Sequence, residues 1–225
     1  MPAEKTKTRI ILLNTPMARN LDPKCKQCRR AGEKLFLKGE RCATQKCAFV
    51  RRPYAPGTKG GGRRRAPSEY GRQLAEKQKI KRIYGLLERQ FKNYVLHSIQ
   101  KQGDSRQNLM GEIERRLDNV IFRLGLAKSR ESARQIVSHG LVKINDRRVN
   151  IPSYRVRPKD LIKLKPKASQ SPLFANLSKI LKKHPVPGWL KLDTDKLQAT
   201  VLRQPQKEDL GDLAKLGTII EFYSR

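Results

Sequence analysis

Two adjoining stretches decide how this chain is read: Arg116-Leu117-Asp118-Asn119-Val120-Ile121-Phe122-Arg123-Leu124-Gly125, and Ser129-Arg130-Glu131-Ser132-Ala133-Arg134-Gln135-Ile136-Val137-Ser138-His139-Gly140. At about 100° per residue, Leu109, Ile113, Leu117, Val120, Ile121 and Leu124 share one arc, which predicts a helix over about Asn108 to Leu124. Arg115, Arg116, Asn119 and Arg123 fall on a distant arc. One face builds a core and the other is free for phosphates. The second stretch predicts a shorter helix capped by Ser129 and stopped by Gly140. Ala133, Ile136 and Val137 form its core face, with Arg130, Arg134 and Ser138 as a stripe at i, i+4 and i+8.

From Leu141 the period changes to two. Val142-Lys143-Ile144 and Arg147-Arg148-Val149 read as a hairpin across Asn145-Asp146. Further short strands are expected at Leu161 to Leu164, at Trp189 to Leu192 and at Leu197 to Leu202, with a short helix at Lys179 to Lys183 between strand pairs. Helices followed by about five short strands predict an α+β domain with a small antiparallel sheet. Upstream, Ser68 caps a helix that runs to about Tyr84 and stops at Gly85. A second helix carries Leu87, Phe91, Tyr94 and Val95 and ends before Gly103.

The chain has 225 residues, with 51 Lys and Arg against 20 Asp and Glu and a formal net charge of +31. Such an excess repels itself unless a polyanion neutralises it, so nucleic acid is the first candidate partner. Apolar residues make up 37 % of the sequence, which predicts small cores and a large wet surface. The longest aliphatic run, Ile10 to Leu13, is far shorter than the ~20 residues a membrane span needs. No membrane role is expected.

All four cysteines fall within one short segment: Cys25, Cys28, Cys42 and Cys47. The two close pairs supply chelating turns able to converge on one soft metal, a more natural reading than disulfides or free thiols in a chain without an export signal. Zinc is the default structural metal, and a four-iron four-sulfur cluster is the alternative the same four thiolates suit. Four protein ligands leave no open position, so catalysis at such a metal is not expected.

Residues 1–24 read as an extended basic arm, with a mitochondrial transit peptide as the alternative. The four-Cys module and its basic loop occupy 25–66. From Lys26 to Arg82 there are 18 Lys and Arg against four acids. Within that segment Lys59-Gly60-Gly61-Gly62-Arg63-Arg64-Arg65 has neither the preceding strand nor the closing Gly-Lys-Ser/Thr of a nucleotide loop, and is read as an RNA-contacting loop.

The residues from Arg116 to Gly125, Ser129 to Gly140 and Val142 to Asn145 resemble the S-four RNA-binding module. The wider chain resembles the bacterial-type small-subunit ribosomal protein S-four family. That likeness rests on the Cys spacing, Leu37-Lys38-Gly39-Glu40-Arg41, Arg52-Pro53-Tyr54, Arg82-Ile83-Tyr84-Gly85, Glu88-Arg89-Gln90-Phe91 and the terminal Glu221-Phe222-Tyr223-Ser224-Arg225. One departure is Asp146, where the module generally has Gly; Asp still tolerates the left-handed conformation.

The resemblance implies a structural, non-enzymatic role: first binder of a multi-helix junction in small-subunit ribosomal RNA, nucleating assembly. It also implies proteins of the S-three and S-five families as neighbours, messenger RNA at an entry passage faced by Arg63, Arg64 and Arg65, and a place in the cytoplasmic ribosome of a bacterium, or alternatively of an organelle. It further implies a helical domain, 67–107, completed by the tail 206–225, with an inserted α+β domain at 108–205 that holds the module at about 116–166. Candidate RNA contacts are Arg29, Arg30, Arg51, Arg52, Tyr54, Lys59, Arg63, Arg64, Arg65, Arg72, Lys77, Lys79 and Arg82 in the first half. In the module and its hairpin they are Arg115, Arg116, Asn119, Arg123, Ser129, Arg130, Arg134, Ser138, His139, Arg147 and Arg148.

An RNA-modifying enzyme with an attached module is the rival reading, but no stretch is left to hold a catalytic domain, and His97, His139 and His184 meet no partner at a recognisable spacing. A zinc-stabilised DNA regulator lacks a dimer seam and a base-reading helix.

Overall fold

The computed structural model describes residues 20–57, 66–165, 181, 184–194, 196–209 and 214–224. The arm up to residue 19, Lys59 and Arg63 to Arg65, most of the segment expected to form the Lys179 to Lys183 helix, and Arg225 lie outside the described residues.

Helix α1 (Lys24–Ala31) and the short α2 (Ala48–Arg51) frame the cysteines, with a 3-10 turn at Gly39–Cys42 between them. Helix α3 (Glu69–Ile83) begins where the Ser68 hydroxyl accepts the Gly71 N–H, and α4 (Glu88–Gln100) follows the turn at Gly85. Helix α5 (Ser105–Glu114) is capped by Asp104.

The helix expected over about Asn108 to Leu124 is two helices. After α5 the backbone extends at Arg116, and α6 (Leu117–Arg123) starts afresh. The break is held from outside: the Val156 N–H donates to the Arg115 carbonyl at 2.9 Å and the Leu117 N–H donates to the Tyr154 carbonyl at 2.8 Å. A straight helix would leave those groups of the 154–156 segment without partners. Helix α7 (Arg130–Ser138) follows, its first turn closed by the Ser129 hydroxyl.

Five antiparallel strands complete the second half: β1 (Val142–Ile144), β2 (Arg147–Val149), β3 (Leu161–Leu164), β4 (Leu190–Asp193) and β5 (Gln198–Val201). They lie in the order β2-β1-β3-β5-β4. Ile144 pairs with Ile162, and Ile162 with Ala199, so one face carries a buried apolar row that packs with α6 and α7. On the next register line Lys143 stands opposite Lys163. Like charges there would repel, and the Lys163 ammonium instead reaches the Asp146 carboxylate at 2.8 Å. The β1–β2 turn has positive φ at both Asn145 (48°) and Asp146 (65°), the backbone a two-residue hairpin of this hand requires.

Two apolar cores result. Leu117, Val120, Ile121, Leu124, Val137, Ile162 and Trp189 belong to one. Phe91, Val95, Leu109, Ile113, Leu216 and Ile219 belong to the other, which joins α4, α5 and the C-terminal helix α8 (Ala214–Ser224). Residues 108–114 therefore pack with the helical half, and by packing the change of core falls at Arg115 and Arg116 rather than at about residue 108.

Candidate nucleic-acid interface

The seam between the two cores is polar and closed. Glu114, only 1 % exposed, ends α5 and accepts four donors: the Tyr84 hydroxyl at 2.6 Å, the Asn119 amide at 2.7 Å, and Nε and Nη2 of Arg123 at 2.9 and 2.7 Å. Burial opposes its charge, but the Arg123 fork and the Tyr84 hydroxyl outweigh burial and hold the carboxyl below its ordinary range. Burial and the adjacent Glu114 together push the Tyr84 hydroxyl well above its usual value.

Beside this group, Arg116 donates to Asp118 through Nε at 3.0 Å and Nη2 at 2.6 Å, and through Nη1 to the Tyr94 hydroxyl at 2.9 Å. Arg130 donates to the Asn119 side-chain carbonyl at 2.8 Å and lies over the rings of Tyr84 and Phe122, at 4.5 and 4.4 Å. Arg134 reaches Asp118 at 3.3 Å. Tyr84 and Tyr94 belong to the helical core and the remaining groups to α5, α6 and α7, so these bonds tie the two halves together.

The expectation that Arg116, Asn119, Arg123, Arg130 and Arg134 form one continuous open surface is corrected by this geometry. Arg116 and Asn119 are buried, at 1 % and 2 % exposure, because the break at Arg115 and Arg116 turns that face toward Tyr84 and Tyr94. Arg123, Arg130 and Arg134 keep partly open edges but spend hydrogen bonds inward. Lys77 and Lys79 likewise serve packing. Lys77 is buried, paired with Glu88 at 2.7 Å and set over the Phe222 ring at 4.5 Å, while Lys79 bridges Glu33 and Glu76, both at 3.0 Å. Ser129 caps α7, and Arg115 donates to the Val156 carbonyl.

Open cations remain on both halves. Arg30, Arg51, Arg52 and Arg72 are exposed in the first half, as is Tyr54, against whose ring Arg29 stacks at 4.9 Å. Ser138, His139, Arg147 and Arg148 are exposed together at the end of α7 and along β2. These side chains are open to solvent. Exposed basic side chains spread over folded elements suit recognition of RNA by shape and backbone position.

The four cysteines line one small pocket with Leu37, Lys38 and Phe49. Cys28, Cys42 and Cys47 are buried, and the Lys38 N–H points to the Cys42 sulfur at 3.4 Å. Burial and then the neighbouring thiols raise the Cys28 thiol above its usual value, with the Leu35 backbone hydrogen bond acting against them. Four soft donors around one pocket are a donor set that fits zinc. Among the described residues, however, no group of three or more His, Cys, Asp or Glu side chains is drawn together at ligating geometry.

Sequence reasoning did not single out Glu114, the buried carboxylate at the centre of the seam. A signal was present: Glu112, Glu114 and Asp118 cluster around Arg115 and Arg116 in a chain with only 20 acids. No helix among the described residues is long and apolar enough to cross a membrane.

Comparison with known proteins agrees with the division of the chain seen in the packing. The model of the ribosomal protein S4/S9 N-terminal domain matches residues 19–114, and that of the S4 domain matches residues 115–162. The join falls where α5 gives way to α6. Small ribosomal subunit protein uS4 of Thermotoga petrophila is 50 % identical over 210 residues, 93 % of this chain and all of that protein. The protein of the same name from Syntrophomonas wolfei is 48 % identical over 209 residues, again 93 % of this chain and all of the relative.

Proposed function

Because the chain belongs to the uS4 family of small ribosomal subunit proteins, we propose that it is a structural component of the small subunit that binds small-subunit ribosomal RNA and carries out no reaction. The observation that carries this reading is the pair of exposed basic surfaces, one on each half of a chain whose two cores are joined by the Glu114 and Asp118 seam. A rigid two-part cationic body holds RNA arms at set angles and offsets their mutual repulsion, so a multi-helix junction met early in assembly is the substrate it suits best. Arg is apt for this because its planar fork spans two phosphate oxygens.

On the same reading the protein works in the cytoplasmic ribosome of a bacterium, beside members of the S-three and S-five families. Arg63, Arg64 and Arg65, outside the described residues, face the passage by which messenger RNA enters. Cys25, Cys28, Cys42 and Cys47 hold one structural zinc ion, which adds folding free energy to a segment with little apolar core.

Gradient fractionation of a lysate tests the proposal. The tagged chain should sediment with small subunits and shift to the top of the gradient after ribonuclease treatment. Sedimentation as a free protein in untreated lysate would overturn it.

A further inference from the structure

A cleft of about 60 Å³ opens where the cysteine module, the end of α3 and the start of α7 meet, outside the exposed basic surfaces described above. That space admits only a few waters, at ~10–15 Å³ each, so a base would lie across its mouth on Phe36 rather than inside it. Leu35, Ile83 and Tyr84 give it an apolar part, and its walls carry Lys24 paired with Glu131, Arg134 paired with Asp118, and Arg82. The loop on one side is pressed against the second half. Gly39, at φ 61°, packs on the Lys128 backbone so closely that a β-carbon there would collide with its carbonyl oxygen.

Phe36 stands at this cleft in an unusual state. Its φ is 50°, a left-handed backbone that a large aromatic residue seldom adopts, and the residue is 58 % exposed, whereas Leu35 beside it is buried. The strain is therefore spent on turning an aromatic ring outward, which folding alone does not call for. Arg82 is half-buried and has no hydrogen bond or ion pair to another described residue. Burial and the like charge of Arg30 weaken its hold on its proton, with Asp22 as a counterweight.

We propose that the mouth of this cleft seats a single unstacked nucleotide of the bound RNA, its base lying on the Phe36 ring and its phosphate meeting Arg82. An exposed ring stacks on any base through the π-face, and an unpaired guanidinium beside it supplies the charge that the phosphate requires. The inference rests on the RNA-binding reading above and adds to it one base-stacking position, at a place where the other contacts described are to backbone charge.

Binding of the full chain and its variants to a small-subunit RNA transcript, measured across a salt series, tests the inference. Phe36→Leu should weaken binding by about 5- to 150-fold with an unchanged salt slope, and Phe36→Tyr should restore it. Arg82→Gln should weaken binding and flatten the slope by roughly one contact. Phe36→Gly, which relieves the left-handed strain, should melt no lower than the original while binding as poorly as Phe36→Leu. Wild-type affinity in Phe36→Leu, or a fall in melting temperature that tracks the loss of binding, overturns the stacking position and leaves the RNA reading intact. Failure of the unaltered chain to bind the transcript overturns the reading beneath it.

Discussion

Arg116 shows how position overrules composition in a chain this basic. Its guanidinium is as charged as any on the surface, yet it is 1 % exposed and bonded to Asp118 and Tyr94. Removing one partner of a buried pair strands the other, so Arg116→Ala or Glu114→Ala should cost about 3–5 kcal/mol of stability. Arg148→Ala, on the open edge, should stay within about 0.5 kcal/mol. Urea titration of the three variants checks the contrast. Equal midpoints would mean that the seam adds nothing to the fold. Helical periodicity could not separate these arginines, because it assigns a residue to a face without saying whether another domain covers that face. Arg147 and Arg148, also expected at the surface, are exposed on β2, the edge strand of the sheet.

At the scale of elements, most caps and turns followed from local chemistry that the sequence carries whole: Ser68 and Ser129 start helices, and Gly85 and Gly140 follow their ends at positive φ, whereas the Asp104 cap that starts α5 ahead of the expected Asn108 was not read. The break between α5 and α6 was not legible, because the apolar period runs unbroken from Leu109 to Leu124 while serving two different cores. What breaks the helix is the 154–156 segment, distant in sequence.

The junction of α3, α4 and α8 makes a pH prediction. Burial would raise the Glu88 carboxyl, but hydrogen bonds from Lys77, Lys81 and Tyr223 overcome this and bring it from 4.5 to about 2. A carboxyl depressed on folding stabilises the protein fully above its unfolded value and loses that contribution as pH falls through the folded one. The difference in urea midpoint between the unaltered chain and Glu88→Gln should thus be largest above pH 5 and shrink toward pH 2. A difference that does not change over this range would contradict the assignment. For the cysteine element, metal analysis of anaerobically prepared protein should find one zinc per chain. Chelation should unfold the segment up to about residue 50 while the sheet half still melts cooperatively. Protein with full structure and neither zinc nor iron would refute the metal.

For the whole molecule, the charge of +31 had already indicated a polyanion, and the two cores explain how that charge is presented: two basic bodies joined by a seam of buried ion pairs. Replacing Arg63, Arg64 and Arg65 by Ala should leave subunit assembly nearly intact and slow translation through structured messages. Failure to assemble would place that loop on the ribosomal RNA instead. The claim on which everything else depends is phosphate binding by many cations at once. With about eight contacts, affinity for a small-subunit RNA transcript should fall by roughly three to five decades between 50 and 200 mM salt, taking the duplex slope as the guide. A salt titration that stays nearly flat across that range would contradict it.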